Sequence, residues 1–375
     1  MRIAVNTRML LPHRLEGIGY FCLEAFSRIT RNHPEHEFIF LFDRPFDNRY
    51  IFGPNVRGIA AGPPARHPLL WYWWYEHTLP RIFKEIKPDL FVSPDGYMSL
   101  RSKVKTLTVI HDINFEHYPG DLPFFNRTYY RHYFPKYARQ SNRIATVSDF
   151  SRHDISKYYQ VPAEKIDVVY NGVNEGFHPL DIATISRVRQ ALTDGQPYFL
   201  FIGALHARKN ILHHLKAFDD FKSRSGSTIK FVFAGIKRWW TNEMEDCLSN
   251  LQHRSDVIFT GRVDEDQLHR IAAASFAVMY VSNFEGFGIP ILEGMRSGVP
   301  VITSNVTSMP EVAGGAALLA NPFDATSMSD AMLQLLNDEP LRTGLIQKGL
   351  ERSAQFSWNH TAENLWQSML RTMNS

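Results

Sequence analysis

Apolar positions along the chain follow two alternating rhythms. Short continuous runs at Arg2 to Asn6, Glu37 to Phe42, Asp89 to Ser93, Thr106 to His111, Arg143 to Val147 and Ile166 to Val169 predict β-strands. Between the first two runs, Ile18, Phe21, Cys22, Ala25, Phe26 and Ile29 recur at steps that put one apolar stripe on a helix. Strands alternating with helices predict a mostly parallel sheet covered by helices. After Asn171 and Gly172 the pattern loosens into a linker, and a fresh strand begins at Tyr198 to Ile202. The alternation then repeats through Ile229 to Ala234, Val257 to Phe259, Phe276 to Tyr280 and Val299 to Thr303. From Ala325 onward the chain predicts consecutive helices, the last with an apolar face of Phe356, Trp358, Ala362, Leu365, Trp366 and Met369.

Two doubly wound α/β units in tandem are therefore expected, over 1–175 and 176–355, with a closing helical segment over 356–375. A length of 375 residues also exceeds one ordinary core. With 44% hydrophobic residues and a formal charge of +3, the chain is globular and lacks the field of a nucleic-acid binder. Cys22 and Cys247 lie far apart inside helical patterns, which predicts buried thiols in a reducing compartment and no disulfide. The apolar stretch after Met1 is too short for a signal peptide, and no run of about 18 apolar residues spans a bilayer. A cytoplasmic location is the expectation.

In open parallel sheets ligands sit beyond the carboxyl ends of strands, so chemistry is sought there. The richest strand end is Ser282-Asn283-Phe284-Glu285-Gly286-Phe287-Gly288-Ile289-Pro290-Ile291-Leu292-Glu293. Gly286 and Gly288 let backbone approach a ligand closely, and Pro290 suits the first turn of a helix. Such a helix tip offers unpaired N–H groups and partial positive charge to a phosphate. Glu285 and Glu293 border it and are suited to gripping sugar hydroxyls; as bare acids they would be a loop charge and a helix-start residue. A second strand end carries Gly203-Ala204-Leu205-His206-Ala207-Arg208-Lys209-Asn210, where Arg208 offers a bidentate fork and Lys209 a point charge to a diphosphate.

His111, with Asp112, ends a strand of the first half and is placed to hydrogen-bond a sugar hydroxyl. Gly17 and Gly19, in Glu16-Gly17-Ile18-Gly19-Tyr20, precede a helix and could bring N–H groups to a substrate. A dinucleotide loop there, with Asp43 on the ribose, is disfavoured by the missing third glycine and the distance from the first strand. Asp264 and Asp266 read as helix-start acids, and no His/Cys cluster has metal-ligand spacing. The run Leu69-Leu70-Trp71-Tyr72-Trp73-Trp74-Tyr75, followed by Arg81, Lys84 and Lys87, reads as core packing, with peripheral membrane contact as the rival.

Taken together, these motifs resemble the large retaining GT-B glycosyltransferase family often called group 1. Glu285 to Glu293 looks like its Glu-x7-Glu motif, and Gly203 to Asn210 is similar to its basic phosphate loop. Gly261-Arg262-Val263, His111-Asp112, Val147 to Ser151 and Tyr170 to Val173 complete the match. The resemblance implies two Rossmann-like domains with an interdomain cleft, the first binding acceptor, the second binding a nucleotide-sugar donor, and the last helix crossing back to the first. It implies that Glu293 holds the donor ribose, that Glu285 and the backbone at Phe287, Gly288 and Ile289 meet the transferred sugar, and that Arg208 and Lys209 neutralise the diphosphate. His111 would contact the sugar from the first domain, and Arg262 and Val263 would lie near the base. Many members carry an arginine directly after the phosphate-loop glycine, where this chain has Ala204.

The implied donor is a GDP- or UDP-linked sugar and the implied acceptor a glycan or lipid-linked glycan of cell-surface polysaccharide, with no cofactor, no metal and no nucleic-acid partner. A nicotinamide-dependent oxidoreductase and a non-catalytic nucleotide-sugar-binding protein are the competing expectations.

Overall fold

A computed structural model describes residues 1–11 and 15–375. The chain forms two compact units, one of Met1–Gly172 with Trp358–Ser375, the other of Val173–Ser357.

The first unit is built on β1 (Arg2–Asn6), β2 (Glu37–Phe42), β3 (Val56–Ala60), β4 (Leu90–Ser93), β5 (Lys105–Val109), β6 (Arg143–Thr146) and β7 (Ile166–Val168). These strands lie in the order β3-β2-β1-β4-β5-β6-β7, every neighbour parallel. Successive residues of β1 go to opposite faces, Ile3 and Val5 to one core and Ala4 to the other, as the pleat requires. On the Ile3/Val5 face the stripe of helix Gly17–Asn32 packs through Phe21, Cys22, Ala25, Phe26 and Ile29. The final helix, Trp358–Met373, buries Trp358, Ala362, Leu365, Trp366 and Met369 in the same core. Burial of each of the larger aliphatic and phenylalanine side chains among these contributes about 1.5–3 kcal/mol before conformational entropy is subtracted.

The aromatic run splits between core and surface. Trp71, Trp74 and Tyr75 are buried in the opposite core, whereas Trp73 is 53% exposed and Leu69 74% exposed. Trp74–Thr78 forms one π-helical turn between helices Pro68–Trp73 and Leu79–Ile86, which rotates the following helix relative to a plain α-helical run.

The second unit contains β8 (Tyr198–Ile202), β9 (Lys230–Ala234), β10 (Val257–Gly261), β11 (Ala277–Tyr280), β12 (Val301–Ser304) and β13 (Leu318–Ala320) in the parallel order β10-β9-β8-β11-β12-β13. Strand order therefore reverses between β1 and β4 in the first unit and between β8 and β11 in the second, opening a crevice at each reversal. The expected linker holds a helix, Ile182–Thr193, capped by Asp181, whose oxygen accepts from the Thr184 N–H. Cys22 is buried as expected, but Cys247 is only half-buried; both are free thiols.

Candidate functional site

The loops after β8 and β11 meet at the reversal point of the second sheet. After β8, Gly203 takes φ +131°, a conformation side chains resist. His206 then caps the turn Ala207–Lys209, its Nδ1 accepting the Arg208 N–H at 3.0 Å. Asn210, at φ +63°, is buried and donates its amide to the carbonyls of Val281 (3.0 Å) and Pro322 (2.7 Å). Behind it His214 donates from Nδ1 to the Asn210 carbonyl and accepts the Val281 N–H at Nε2, a pattern only the neutral ring satisfies. Burial brings its pKa down to about 4. The two loops are thus locked together by buried polar contacts.

Held this way, Lys209 sends its ammonium to Glu285 Oε1 at 2.6 Å and to the Tyr280 hydroxyl, with the Tyr280 ring 4.8 Å from the charge. Arg208 reaches the same carboxylate at 3.3 Å and donates to the Phe284 carbonyl at 2.5 Å. Arg208 brings the second cation to this spot. Burial alone would raise the Glu285 pKa, but the fields of Lys209 and Arg208 and the hydrogen bonds from Lys209 and Tyr280 outweigh it and hold the carboxyl down to about 2. Glu285 is therefore an anion at any working pH, flanked by two cations.

Next along the chain, Gly288 at φ +100° opens helix Ile289–Arg296, whose Gly288 cap provides no side-chain acceptor and whose first turn carries Pro290. Pro290 has no N–H and that of Ile291 donates to the Gly288 carbonyl at 3.0 Å, which leaves the N–H groups of Gly288 and Ile289 at the tip to meet an anion. The Ser308 hydroxyl, in the loop after β12, spans the carbonyls of Glu285 (2.8 Å) and Phe287 (3.0 Å) and fixes the loop. Phe287 is buried with its ring against Phe356, ring centroids 5.8 Å apart.

Glu293 lies one turn into that helix, and its Oε2 is enclosed without a hydrogen-bond partner. Burial, reinforced by the field of Glu265 and opposed by Lys209, pushes its pKa up to about 7. An enclosed carboxyl oxygen lacking a partner is costly, and a ligand hydroxyl is the group that would relieve it.

Lys209, Arg208, Glu285, Gly203, Phe287, Gly288, Ile289 and Glu293 thus share one end of the second sheet. Arg262 and Val263 follow β10 at that end, Arg262 exposed. Asp264 caps helix Glu265–Ala274 in a capping box with Gln267, as the sequence pattern predicts. His111, Gly17 and Gly19 belong to the first unit. His111 Nε2 donates to the Pro94 carbonyl at 2.9 Å, its ring sits edge-on to Phe21, and burial lowers its pKa, so the neutral ring keeps Nδ1 as an acceptor. Gly19 has a packing reason to be glycine, since a Cβ there would meet the Met9 carbonyl at 2.8 Å; at Gly17 a Cβ would meet open space. Among the described residues no group of three or more His, Cys, Asp or Glu side chains is gathered to hold a metal.

Tyr280, Asn210, His214 and Ser308 were not marked by the sequence reading. Tyr280 ends a strand that reads as core, and only its hydroxyl next to Lys209 reveals a second task.

Residues 183–352 match the family model for glycosyl transferases group 1, and residues 17–177 match that for glycosyltransferase family 4. The O-antigen chain mannosyltransferase B of Escherichia coli is 31% identical over 362 residues, covering 93% of this chain and 94% of that protein. The O-antigen chain mannosyltransferase RfbU of Salmonella typhimurium is 28% identical over 279 residues, 74% of each chain. Among solved structures, sucrose-phosphate synthase from Thermosynechococcus elongatus superposes with a TM-score of 0.79 at 17% identity, covering 98% of this chain and 97% of its own. WaaG, a glycosyltransferase involved in lipopolysaccharide biosynthesis, gives 0.76 at 16% identity, covering 98% and 99%. Paired parallel sheets with basic and acidic strand ends, together with these matches over nearly the whole chain, show that the protein belongs to the group 1 glycosyltransferases and has the GT-B fold.

Proposed function

We propose that this glycosyltransferase takes a hexose, mannose in the first instance, from a nucleoside-diphosphate donor and adds it, with retention at the anomeric carbon and without a metal, to a glycan or lipid-linked glycan during cell-surface polysaccharide synthesis. The observation that carries the reading is the meeting of Lys209 and Arg208 with Glu285 beside an open helix tip and a Glu293 whose Oε2 lacks a partner. The two O-antigen mannosyltransferases support mannose and a surface glycan. Anabaena HepE, solved in complex with UDP and glucose, has a TM-score of 0.76 at 15% identity and supports a nucleoside diphosphate.

As the sugar–phosphate bond breaks, negative charge grows on the diphosphate while the sugar becomes oxocarbenium-like, so groups aimed at the leaving oxygens contribute most to the rate. Lys209 and Arg208 supply that charge here, and the N–H groups at Gly288 and Ile289 add dipole. Glu285, held as an anion, accepts hydroxyls of the transferred sugar, and Glu293 accepts those of the ribose. Gly203 lets the phosphate approach the backbone and Arg262 and Val263 lie near the base; in the first unit, His111 Nδ1 is an acceptor suited to a sugar hydroxyl. Gly17 and Gly19 start the acceptor-side helix. Glu285 is tied to Lys209 and is poorly disposed to attack carbon; the resemblance to the family supports an acceptor that attacks from the leaving-group side while a phosphate oxygen takes its proton. No cofactor enters this scheme.

Leu69 and Trp73, with Phe124 and Phe125 at 63% and 66% exposure, support peripheral contact with a membrane bearing the acceptor. No described helix is long and apolar enough to cross one.

A donor panel read by release of free nucleoside diphosphate, with and without EDTA, tests the reading. One GDP- or UDP-sugar is expected to be consumed equally in both, and the product to show the donor's anomeric configuration by NMR. Activity that vanishes with EDTA, or an inverted product, overturns the corresponding part, and full activity in Glu285→Ala overturns the site. Flotation with anionic liposomes checks the membrane contact, which fails if the protein stays at the bottom.

A further inference from the structure

Between β9 and helix Asn242–Ser249 runs Gly235-Ile236-Lys237-Arg238-Trp239-Trp240-Thr241, whose two tryptophans are treated differently. Trp240 is held inward: its indole N–H donates to Glu245 at 2.7 Å, its ring meets Phe259 edge-on, and Lys237 lies 4.1 Å from its centre. Trp239 is 55% exposed and sits at φ +80°, a region that bulky side chains rarely adopt.

Strain of this kind persists only where the surroundings enforce it, and it gathers at sites that use the displayed group. The enforcing contacts are visible. The Arg238 guanidinium lies 4.4 Å over the Trp239 ring, and His206 meets the ring edge-on at 4.8 Å. His206 is the cap of the turn that carries Arg208 and Lys209. The loop backbone is fastened to the same turn: Leu205 N–H donates to the Ile236 carbonyl, and a Cβ on Gly235 would overlap the Gly203 carbonyl at 1.8 Å. On its other side Gly235 bridges to Gly261, the residue before Arg262 and Val263. The displayed indole therefore stands on a strap between the basic turn and the Gly261–Val263 turn. Packing does not account for it, because the ring leaves over half its surface in solvent.

We propose that Trp239 is the stacking platform for the nucleobase of the donor, and thereby a determinant of nucleotide affinity. This rests on the nucleoside-diphosphate reading of the basic turn. A flat, electron-rich ring with a guanidinium on one face suits a base, whose stacking is sequence-tolerant and strong, whereas a bare phosphate gains nothing from it.

The test is titration of the wild type and of Trp239→Ala, Trp239→Phe and Trp239→Gly with GDP, UDP and inorganic pyrophosphate, by calorimetry and by tryptophan fluorescence. Trp239→Ala is expected to weaken whichever nucleotide binds by about ten- to one-hundred-fold and to leave pyrophosphate unchanged. Trp239→Phe, still aromatic, should retain affinity to within about fivefold. Glycine adopts positive φ freely, so Trp239→Gly should lose nucleotide affinity while its melting temperature stays level or rises. Unchanged nucleotide affinity in Trp239→Ala overturns the proposal, as does an equal loss for pyrophosphate, which would make Trp239 a prop for the basic turn. Failure of the wild type to bind GDP, UDP and pyrophosphate alike would remove the underlying donor reading as well.

Discussion

Both sheets reverse their strand order once, and charged side chains gather at each reversal, but the two gatherings are finished differently. In the first unit Arg8, just after β1, meets Asp95, just after β4, at 2.6 Å, with the side chains 9% and 2% exposed. Asp95 also accepts from Asn6 (2.8 Å) and Ser93 (3.0 Å), while Arg8 donates to the Ala65 carbonyl and lies 4.6 Å over Tyr97. Opposite charges are matched one to one and enclosed. In the second unit two cations share the single anion Glu285, and Glu293 adds an acid with an oxygen that has no partner. The first arrangement is built to be closed; the second leaves a carboxyl oxygen without a partner, which is what a site awaiting hydroxyls looks like.

The largest effect should come from breaking the closed pair. Asp95→Ala strands a buried guanidinium, which is expected to cost about 3–5 kcal/mol of stability in denaturant unfolding. Glu285→Ala leaves cations that reach solvent and should cost less stability while abolishing most transfer. If Glu285→Ala unfolds as readily as Asp95→Ala, the contrast between the clusters disappears.

Second in size, Lys209→Ala removes the cation that the transition state needs, and kcat for nucleoside diphosphate release should fall by about 10²–10³ with little change in the unfolding midpoint. Activity within a few-fold of wild type would leave Lys209 as no more than a partner for Glu285.

How much of this was readable beforehand differs between the clusters for a physical reason. Lys209, Glu285 and Glu293 sit in short segments where glycine, proline and charge coincide at strand ends, so local sequence announces them. Arg8 and Asp95 are 87 residues apart and meet only because β1 and β4 are neighbours, a pairing no local pattern encodes. The strands followed the apolar runs closely, yet β3 (Val-Arg-Gly-Ile-Ala) and β13 (Leu-Leu-Ala) escaped, being sheet edges with partly exposed, short sequences. Helix Ile182–Thr193 escaped because its apolar stripe of Ile185, Val188 and Leu192 is short and only half-buried, with Ile182 exposed at its start. The split of the Trp71–Tyr75 run between core and surface follows helical spacing, with Trp71, Trp74 and Tyr75 at i, i+3 and i+4 on the buried face and Trp73 on the other.

Tyr280 offers a smaller and more selective test of the open cluster. Its hydroxyl touches both Lys209 and Glu285, so Tyr280→Phe keeps the ring against the ammonium and removes only the polar anchor. A positioning role predicts a drop in kcat of about tenfold, the size of one hydrogen bond to a charged group, with donor KM within about threefold. A proportional rise in KM with kcat unchanged would instead make the phenol a ground-state contact.

The smallest effect concerns protons on Glu293. Its folded pKa is raised from 4.5 to about 7, so between those values the folded chain keeps a proton that the unfolded chain has released. By linkage this contribution to stability is fully present below pH 4.5 and is lost as pH rises through 7. A ribose hydroxyl donates best to the ionised carboxylate, so nucleotide binding should favour deprotonation, and affinity should rise by about tenfold between pH 6 and 8. The nucleotide's own phosphate also titrates in this range, which is why Glu293→Gln is the necessary comparison: it retains the phosphate titration and removes the carboxyl. Subtracting the Gln profile of GDP or UDP affinity from that of the wild type leaves the Glu293 component. If that difference is flat with pH, Glu293 does not gain its missing partner from the ligand, and the open acceptor that separates the second cluster from the first has another purpose.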